Sequence, residues 1–218
     1  MNTLVSTASN VDFPAAVPSS CEPTPHVSGV FLWPVYVLLL AALLTFCDAF
    51  SHVQFNVLHY ATRGRWELVI GQPTGKVFVG FCRIALFCTA AGWAMFRKYP
   101  APTLFRGLLS AAIFAAMYFA SGVFAAHPMI LFNVFLLTWA LQLWTFTHDL
   151  ARLVLFSALL GVLGPTFEGM ISSTGVFAYN EPHIYYVPVW LSGLYLNGGL
   201  AVAATISRVE RWRTGNVR

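Results

Sequence analysis

The sequence predicts an all-α integral membrane protein, a bundle of six transmembrane helices with both termini in the cytosol. Three observations predict it. Hydrophobic residues make up 58% of the 218 residues and charged residues only 9%, against about 25% charge in a typical soluble domain. So little charge cannot cover a water-facing surface, and bilayer lipid is the expected solvent for most of the chain. The chain also divides into six apolar runs of roughly 18–23 residues, enough at ~1.5 Å per residue to cross a ~30 Å hydrocarbon core. Finally, its cations fall unevenly between the two sets of connections. The formal charge of +4 is too small and too scattered for a nucleic-acid partner.

Residues 1–28 are rich in Ser, Thr, Pro, Ala and Val and contain no Lys or Arg. They are expected to form a disordered tail. Without a basic start they do not read as a secretory signal peptide. The transmembrane domain is placed at 29–207. Its first span, 30–50, carries Pro34 in its opening turn, where proline is tolerated. A polar, aromatic connection follows, with Tyr60 and Trp66 suited to a membrane interface. The second span, 74–96, ends at Arg97 and Lys98. The third, 104–126, is rich in alanine, with the pairs Ala111/Ala115 and Ala112/Ala116 offering a close-packing face. His127-Pro128 marks the next turn.

Spans four and five, 129–146 and 150–171, are separated only by a polar cluster at Thr147, His148 and Asp149. This helical hairpin is expected to organise the fold. A polar, aromatic loop at 172–185 leads to the last span, 186–206, and to a basic cytosolic tail at 208–218. Arg97, Lys98, Arg106, Arg152 and the tail arginines lie on one side, and only Arg63, Arg65 and Lys76 on the other. The basic side is expected to be cytosolic. Cys47, Cys82 and Cys88 sit in apolar runs and read as buried small hydrophobes, and no CxxC pair includes them or Cys21.

Charge within a span costs about 2.5–3.5 kcal/mol per residue and marks pairing or function. Asp48, His52, Arg83 and Glu168 all fall in the non-cytosolic half. They form a candidate structural polar network in which Arg83 pairs with Glu168 or Asp48. Asp48 and His52, close to a span end, are expected to reach headgroups. Gly164-Pro165 is expected to break the helix before Glu168. A ligand cavity would draw on Phe114, Tyr118, Asn133, Trp139, Gln142 and Glu168, since helix-bundle pockets are mostly apolar with a few placed polar groups. Taken singly, the amides Asn133, Gln142 and Asn197 read as interhelical ties.

No P-loop, dinucleotide fingerprint, HExxH motif or internal repeat is present, and no metal or cofactor is expected. An enzymatic alternative uses Glu168 with Asp48 and His52 as general acid and base in a lipid hydratase or isomerase. A metal site from the same three residues lacks a second His or Cys cluster. A transporter would need paired helix breaks in both halves, and Pro165 has no counterpart in the first.

Leu143–Phe146, LWTF, and Gly175–Tyr179, GVFAY, are similar to motifs of the Insig family of sterol-sensing membrane proteins. Trp190, the glycines Gly193, Gly198 and Gly199, the Ser207-Arg208 pair and the basic loop FRKYPAPTLFRG at 96–107 follow the family's order. The resemblance is useful over about 104–208. It implies six helices and a non-enzymatic lipid sensor. The family has an acidic residue directly after WTF; here Thr147 stands there and Asp149 lies two residues on. That puts engagement of a Scap-like escort protein in doubt and fits a distant, bacterial member. The implied ligand is then a slender lipid with a small polar head, diacylglycerol-like or sterol-like. The expected setting is the plasma membrane if the source is bacterial, or the endoplasmic reticulum if it is eukaryotic, with homo-oligomers possible through small-residue faces.

Overall fold

The computed structural model describes residues 31–145 and 149–214. The N-terminal tail, Cys21, Phe146, Thr147, His148 and the end of the basic tail, Arg218 included, lie outside the described residues. Six α-helices follow one another: α1 (Leu32–Cys47), α2 (Thr74–Phe96), α3 (Leu104–Val123), α4 (Pro128–Thr145), α5 (Leu150–Ser173) and α6 (Trp190–Arg213). Proline and threonine set several starts. Pro73 precedes α2, Thr103 caps α3 by accepting from the Arg106 backbone N–H, and Pro128 opens α4, where the missing N–H costs nothing.

Five helices, α1 with its extension to Val53 and α2 to α5, are long and apolar enough to cross a membrane. The chain is an integral membrane protein. Its outer surface fits lipid, with Leu137, Trp144, Val162 and Leu86 exposed. The sixth helix is as long but less apolar, and it is the one most enclosed by protein. It packs on α5, α3, α4 and α2, while α4 and α5 touch each other little. The organising element is therefore α6, not the expected α4–α5 hairpin. A helix screened from lipid by its neighbours can carry Tyr195, Asn197, Thr205 and Ser207 without facing hydrocarbon.

Two apolar clusters line the length of α6. One joins Phe114, Phe135, Trp190, Leu191 and Leu194; the other joins Phe96, Leu153, Phe156, Leu200 and Ile206. Close backbone approaches are made at glycines rather than at the alanines of α3, where Ala112 and Ala116 are exposed: a Cβ on Gly122 of α3 would sit 2.5 Å from the Ser51 backbone oxygen. A Cβ on Gly199 would sit 2.7 Å from the Ser157 Cα of α5.

The first helix does not stop at Cys47. It widens into a π-helical turn, Asp48–Val53, that turns Asp48, Ser51 and His52 into the protein. The polar loops on this side are also more ordered than the sequence suggests. Strands β1 (Leu58–Tyr60) and β2 (Phe177–Tyr179) pair antiparallel, Leu58 opposite Tyr179 and Tyr60 opposite Phe177. They clip the α1–α2 connection to the α5–α6 connection. At the other end α6 continues through Arg213, so the first residues of the expected tail are helical. Arg213 holds Glu210 with two hydrogen bonds, of 2.6 and 2.9 Å, one turn back. Pro165 lies inside an unbroken α5.

Candidate functional site

A cavity of about 290 Å³ runs between α1, α2, α3, α5 and α6. Its wall is built by helical spacing. Leu39, Leu40, Leu43 and Leu44 face it from α1, Phe81, Ile84 and Ala85 from α2, and Leu191, Leu194, Gly198, Ala201 and Val202 from α6. Its polar lining is sparse and terminal. At one end Tyr36 Oη and Thr205 Oγ1 share a hydrogen bond of 2.7 Å. At the other, Tyr195 and Glu168 meet. Ten residues of α6 separate Tyr195 from Thr205, so the cavity extends roughly 15 Å at ~1.5 Å per residue.

Glu168 stands between this cavity and a second one of about 150 Å³ under the β1–β2 clip. Phe81, Ile84, Tyr118 and Glu168 border both. The second cavity is more polar, with Asp48, Tyr60, Thr62 and Lys76 in its wall. The Glu168 carboxylate is fixed from two directions. Tyr179 donates to Oε2 and Tyr195 to Oε1, each at 2.5 Å. Gly164 makes the second bond possible, since a Cβ there would meet the Tyr195 ring at 2.4 Å. The Gly164-Pro165 pair thus admits the tyrosine rather than breaking the helix. Burial, with the Glu168 carboxylate next in weight, holds the Tyr179 hydroxyl well above its ordinary pKa. Burial, then Asp48, does the same to Tyr60. Both stay protonated donors through neutral pH.

The expected pairing of Arg83 with Glu168 or Asp48 is not what the structure shows. Arg83 is exposed on the outer face of α2, and its side chain is long enough to reach the interface from there. Nor do Asp48 and His52 reach headgroups; they are 2% and 1% exposed. Asp48 Oδ2 accepts from Tyr60 at 2.9 Å and from Gln72 at 2.7 Å, and its Oδ1 lies 3.7 Å from His52 Nδ1. The His52 ring stacks on Tyr118 at 4.6 Å, and its Nε2 lies 2.9 Å from Ser121 Oγ.

Asp48, His52 and Ser121 lie in the order of a hydrolytic triad, but the chemistry runs the other way. The single Ser121 hydroxyl proton goes to the Tyr118 carbonyl at 2.6 Å, so His52 Nε2 is the donor to Ser121 and not its base. Ser121 is also wholly buried and borders neither cavity. These residues lock the π turn to α3. Ser51 adds a bond to the same Tyr118 carbonyl.

Of the six expected ligand residues, three meet at the cavities: Phe114, Tyr118 and Glu168. The other three do not border these two cavities, although Gln142 lines a third, of about 240 Å³, with Arg106, Ser110 and Thr138. Asn133 is exposed and donates to its own helix at Met129 O. Trp139 Nε1 donates to Ser157 Oγ at 3.0 Å and ties α4 to α5. Gln142 is a buried tie. It accepts from Ser110, donates to Asn197 Oδ1 at 2.8 Å, and Asn197 donates onward to Phe135 O and Gly193 O. Tyr195, Gln72 and Ser121 were not singled out by the sequence; Tyr60 was read only as an interface aromatic and Tyr179 only as part of the GVFAY motif. Their signal, polar groups in apolar surroundings, was present for Tyr195, which lies within the sixth apolar run. Among the described residues no group of three His, Cys, Asp or Glu could hold a metal ion.

No protein-family model matches the sequence, and no curated protein matches it. Solved structures share the fold. The mycobacterial Insig homologue MvINS from Mycobacterium vanbaalenii matches with a TM-score of 0.69 at 22% identity, over 84% of this chain and 96% of that one. A cross-linked trimer of MvINS matches with a TM-score of 0.68, also at 22% identity and over the same shares. The helix bundle implied by the resemblance at LWTF and GVFAY is the bundle found.

Proposed function

We propose that this chain, which shares its fold with a mycobacterial Insig homologue, is a non-enzymatic membrane lipid-binding protein of the Insig type. It holds an apolar lipid, sterol-like or diacylglycerol-like, in the cavity among α1, α2, α3, α5 and α6. One observation carries the reading: a long apolar cavity ends in a single carboxylate held by two tyrosines and open to a second, more polar cavity. Such a shape suits a slender tail with one small polar head. Phe114 and Tyr118 flank the tail, and Glu168 orients the head.

The two MvINS structures support a homo-oligomer, since one is a cross-linked trimer. The charge asymmetry supports an orientation with both ends in the cytosol, and the likeness to a mycobacterial protein supports the plasma membrane as its setting. Asp149, two residues beyond the position where the resemblance implies an acid, forms an exposed ion pair with Arg152 at 3.1 Å.

Native mass spectrometry with lipid extraction, on protein purified in mild detergent, tests this reading. One stoichiometric neutral lipid, lost on Phe114→Trp, is the expected result. Loose bulk phospholipid alone would remove the cavity as a ligand site. A chemically altered lipid after incubation, abolished by Glu168→Gln, would replace the sensor with the hydratase or isomerase alternative.

A further inference from the structure

We propose that residues 64–73 form a rigid finger whose tip enters the membrane leaflet beside the start of α2. The proposal stands apart from the cavities and whatever they hold. The stretch closes into a compact loop between the π turn of α1 and the first residue of α2. Its neck is tight, since a Cβ on Gly64 would sit 2.7 Å from the Pro73 Cα. Compact surface loops with their ends close together frequently carry function.

Hydrogen bonds hold the shape of the loop. Glu67 bridges its neck, Oε1 accepting from the Gly64 backbone N–H at 3.2 Å and Oε2 from that of Gly71 at 3.0 Å. The Leu68 N–H donates to Thr74 Oγ1 at 2.8 Å, and the Thr74 N–H to the Trp66 carbonyl at 3.1 Å. Gly71 takes a φ of 98°, a left-handed conformation that favours glycine. Gln72 then fixes the loop to the bundle. It is wholly buried, and its amide donates to Asp48 Oδ2 and to the Thr45 carbonyl.

A loop ordered in this way in water would turn its apolar side chains inward. Here Trp66, Leu68 and Ile70 are 78%, 51% and 85% exposed. Large apolar groups at alternate positions, held outward by a fixed backbone, mark a surface that an apolar partner covers. Two observations identify that partner as lipid. Pro73 leads directly into Thr74, the first residue of a helix long and apolar enough to span the bilayer, so the loop lies where hydrocarbon gives way to headgroups. Arg63 and Arg65, both exposed, stand just ahead of the tip. Guanidinium groups pair with lipid phosphates, and tryptophan settles at the headgroup level with aliphatic side chains below it. Glu67 does not oppose insertion, because backbone N–H groups at the neck engage its charge.

The experiment places a nitroxide on full-length protein in vesicles of phosphatidylcholine and phosphatidylglycerol, at Leu68→Cys or Ile70→Cys in a cysteine-free background. Collision with oxygen, which concentrates in lipid, is compared with collision with a water-soluble nickel chelate. Both labels should favour oxygen, at a depth of about 5–10 Å, the range of apolar segments lying in the interface. A label at Arg65→Cys should favour nickel. Labels at Leu68→Cys and Ile70→Cys that favour nickel would put the tip in water and overturn the proposal. Labels that meet neither reagent would show that protein covers the tip, a second copy of the chain for instance, and would overturn it too.

The native cysteines can stay in a second measurement, which holds even if the cysteine-free background fails to fold. The emission of Trp66 is the difference between the native protein and Trp66→Phe. Phosphatidylcholine brominated on its acyl chains should quench that difference, and aqueous iodide should not. The opposite order, or quenching by neither, would overturn the lipid assignment and leave the cavity reading standing.

Discussion

Asn197 and Asn133 differ only in which way a helix turns them. Asn197 is wholly buried on α6 and engages Gln142, Phe135 and Gly193; Asn133 faces outward on α4. Asn197→Leu should destabilise the protein by about 1–3 kcal/mol, because the Gln142 amide and the Phe135 carbonyl then lose a buried partner. Asn133→Leu should stay within about 0.5 kcal/mol. Denaturation in detergent separates the two. From sequence the pair were alike, an amide in an apolar run, since a helix hydrophobic on every side gives no moment to say which face is inward.

The buried tyrosine hydroxyls of Tyr60 and Tyr179, outside the spans, set the alkaline limit. Their folded pKa values lie well above the ordinary value of 10.0. Above about pH 10 the unfolded chain gives up these protons and the folded one keeps them. The unfolded state then binds fewer protons, and stability falls as pH rises. Melting temperatures should be flat from neutral pH to about 10 and drop beyond it, less steeply in Tyr60→Phe.

At the scale of elements, the spans were legible and their companions were not. Apolar runs bounded by proline and basic residues gave five helices within a few residues of their observed ends. The sixth outran its expected end because Arg213 and Glu210 extend it past the apolar stretch. The three-residue strands were illegible, because each is too short for an alternating pattern and its partner lies across the chain. Small-residue packing was expected at the alanines of α3; the close approaches are at glycines instead, Gly199 of α6 and Gly122 of α3 among them. Gly199→Ala should cost about 1–3 kcal/mol by forcing α5 and α6 apart. Gly107→Ala on α3, where a Cβ meets nothing within 4 Å, should instead be neutral or stabilising by up to about 1 kcal/mol. Opposite signs in parallel melts would locate the tight seam.

At the scale of the molecule, composition and cation placement gave the bundle and an orientation. They did not give its interior, which depends on which helix the others surround. That is why Arg83 was drawn inward on paper, and why the tyrosines that hold Glu168 went unnoticed. The orientation has a direct check. In a cysteine-free background, Arg65→Cys should react with an impermeant maleimide from outside intact cells, and Arg211→Cys only after permeabilisation. The reverse pattern would invert the topology.

The central position of α6 also bears on how the protein is made. A ribosome delivers the chain from its N-terminal side onward, and α6 emerges after the five helices that it packs among. Until then α3, α4 and α5 have entered the bilayer with the surfaces they later press against α6 still facing lipid. Nor can β1 close on β2 before the segment just ahead of α6 has arrived. Assembly therefore waits on α6. A nascent chain stopped at 189 would hold five inserted helices without a centre, a natural target for membrane quality control.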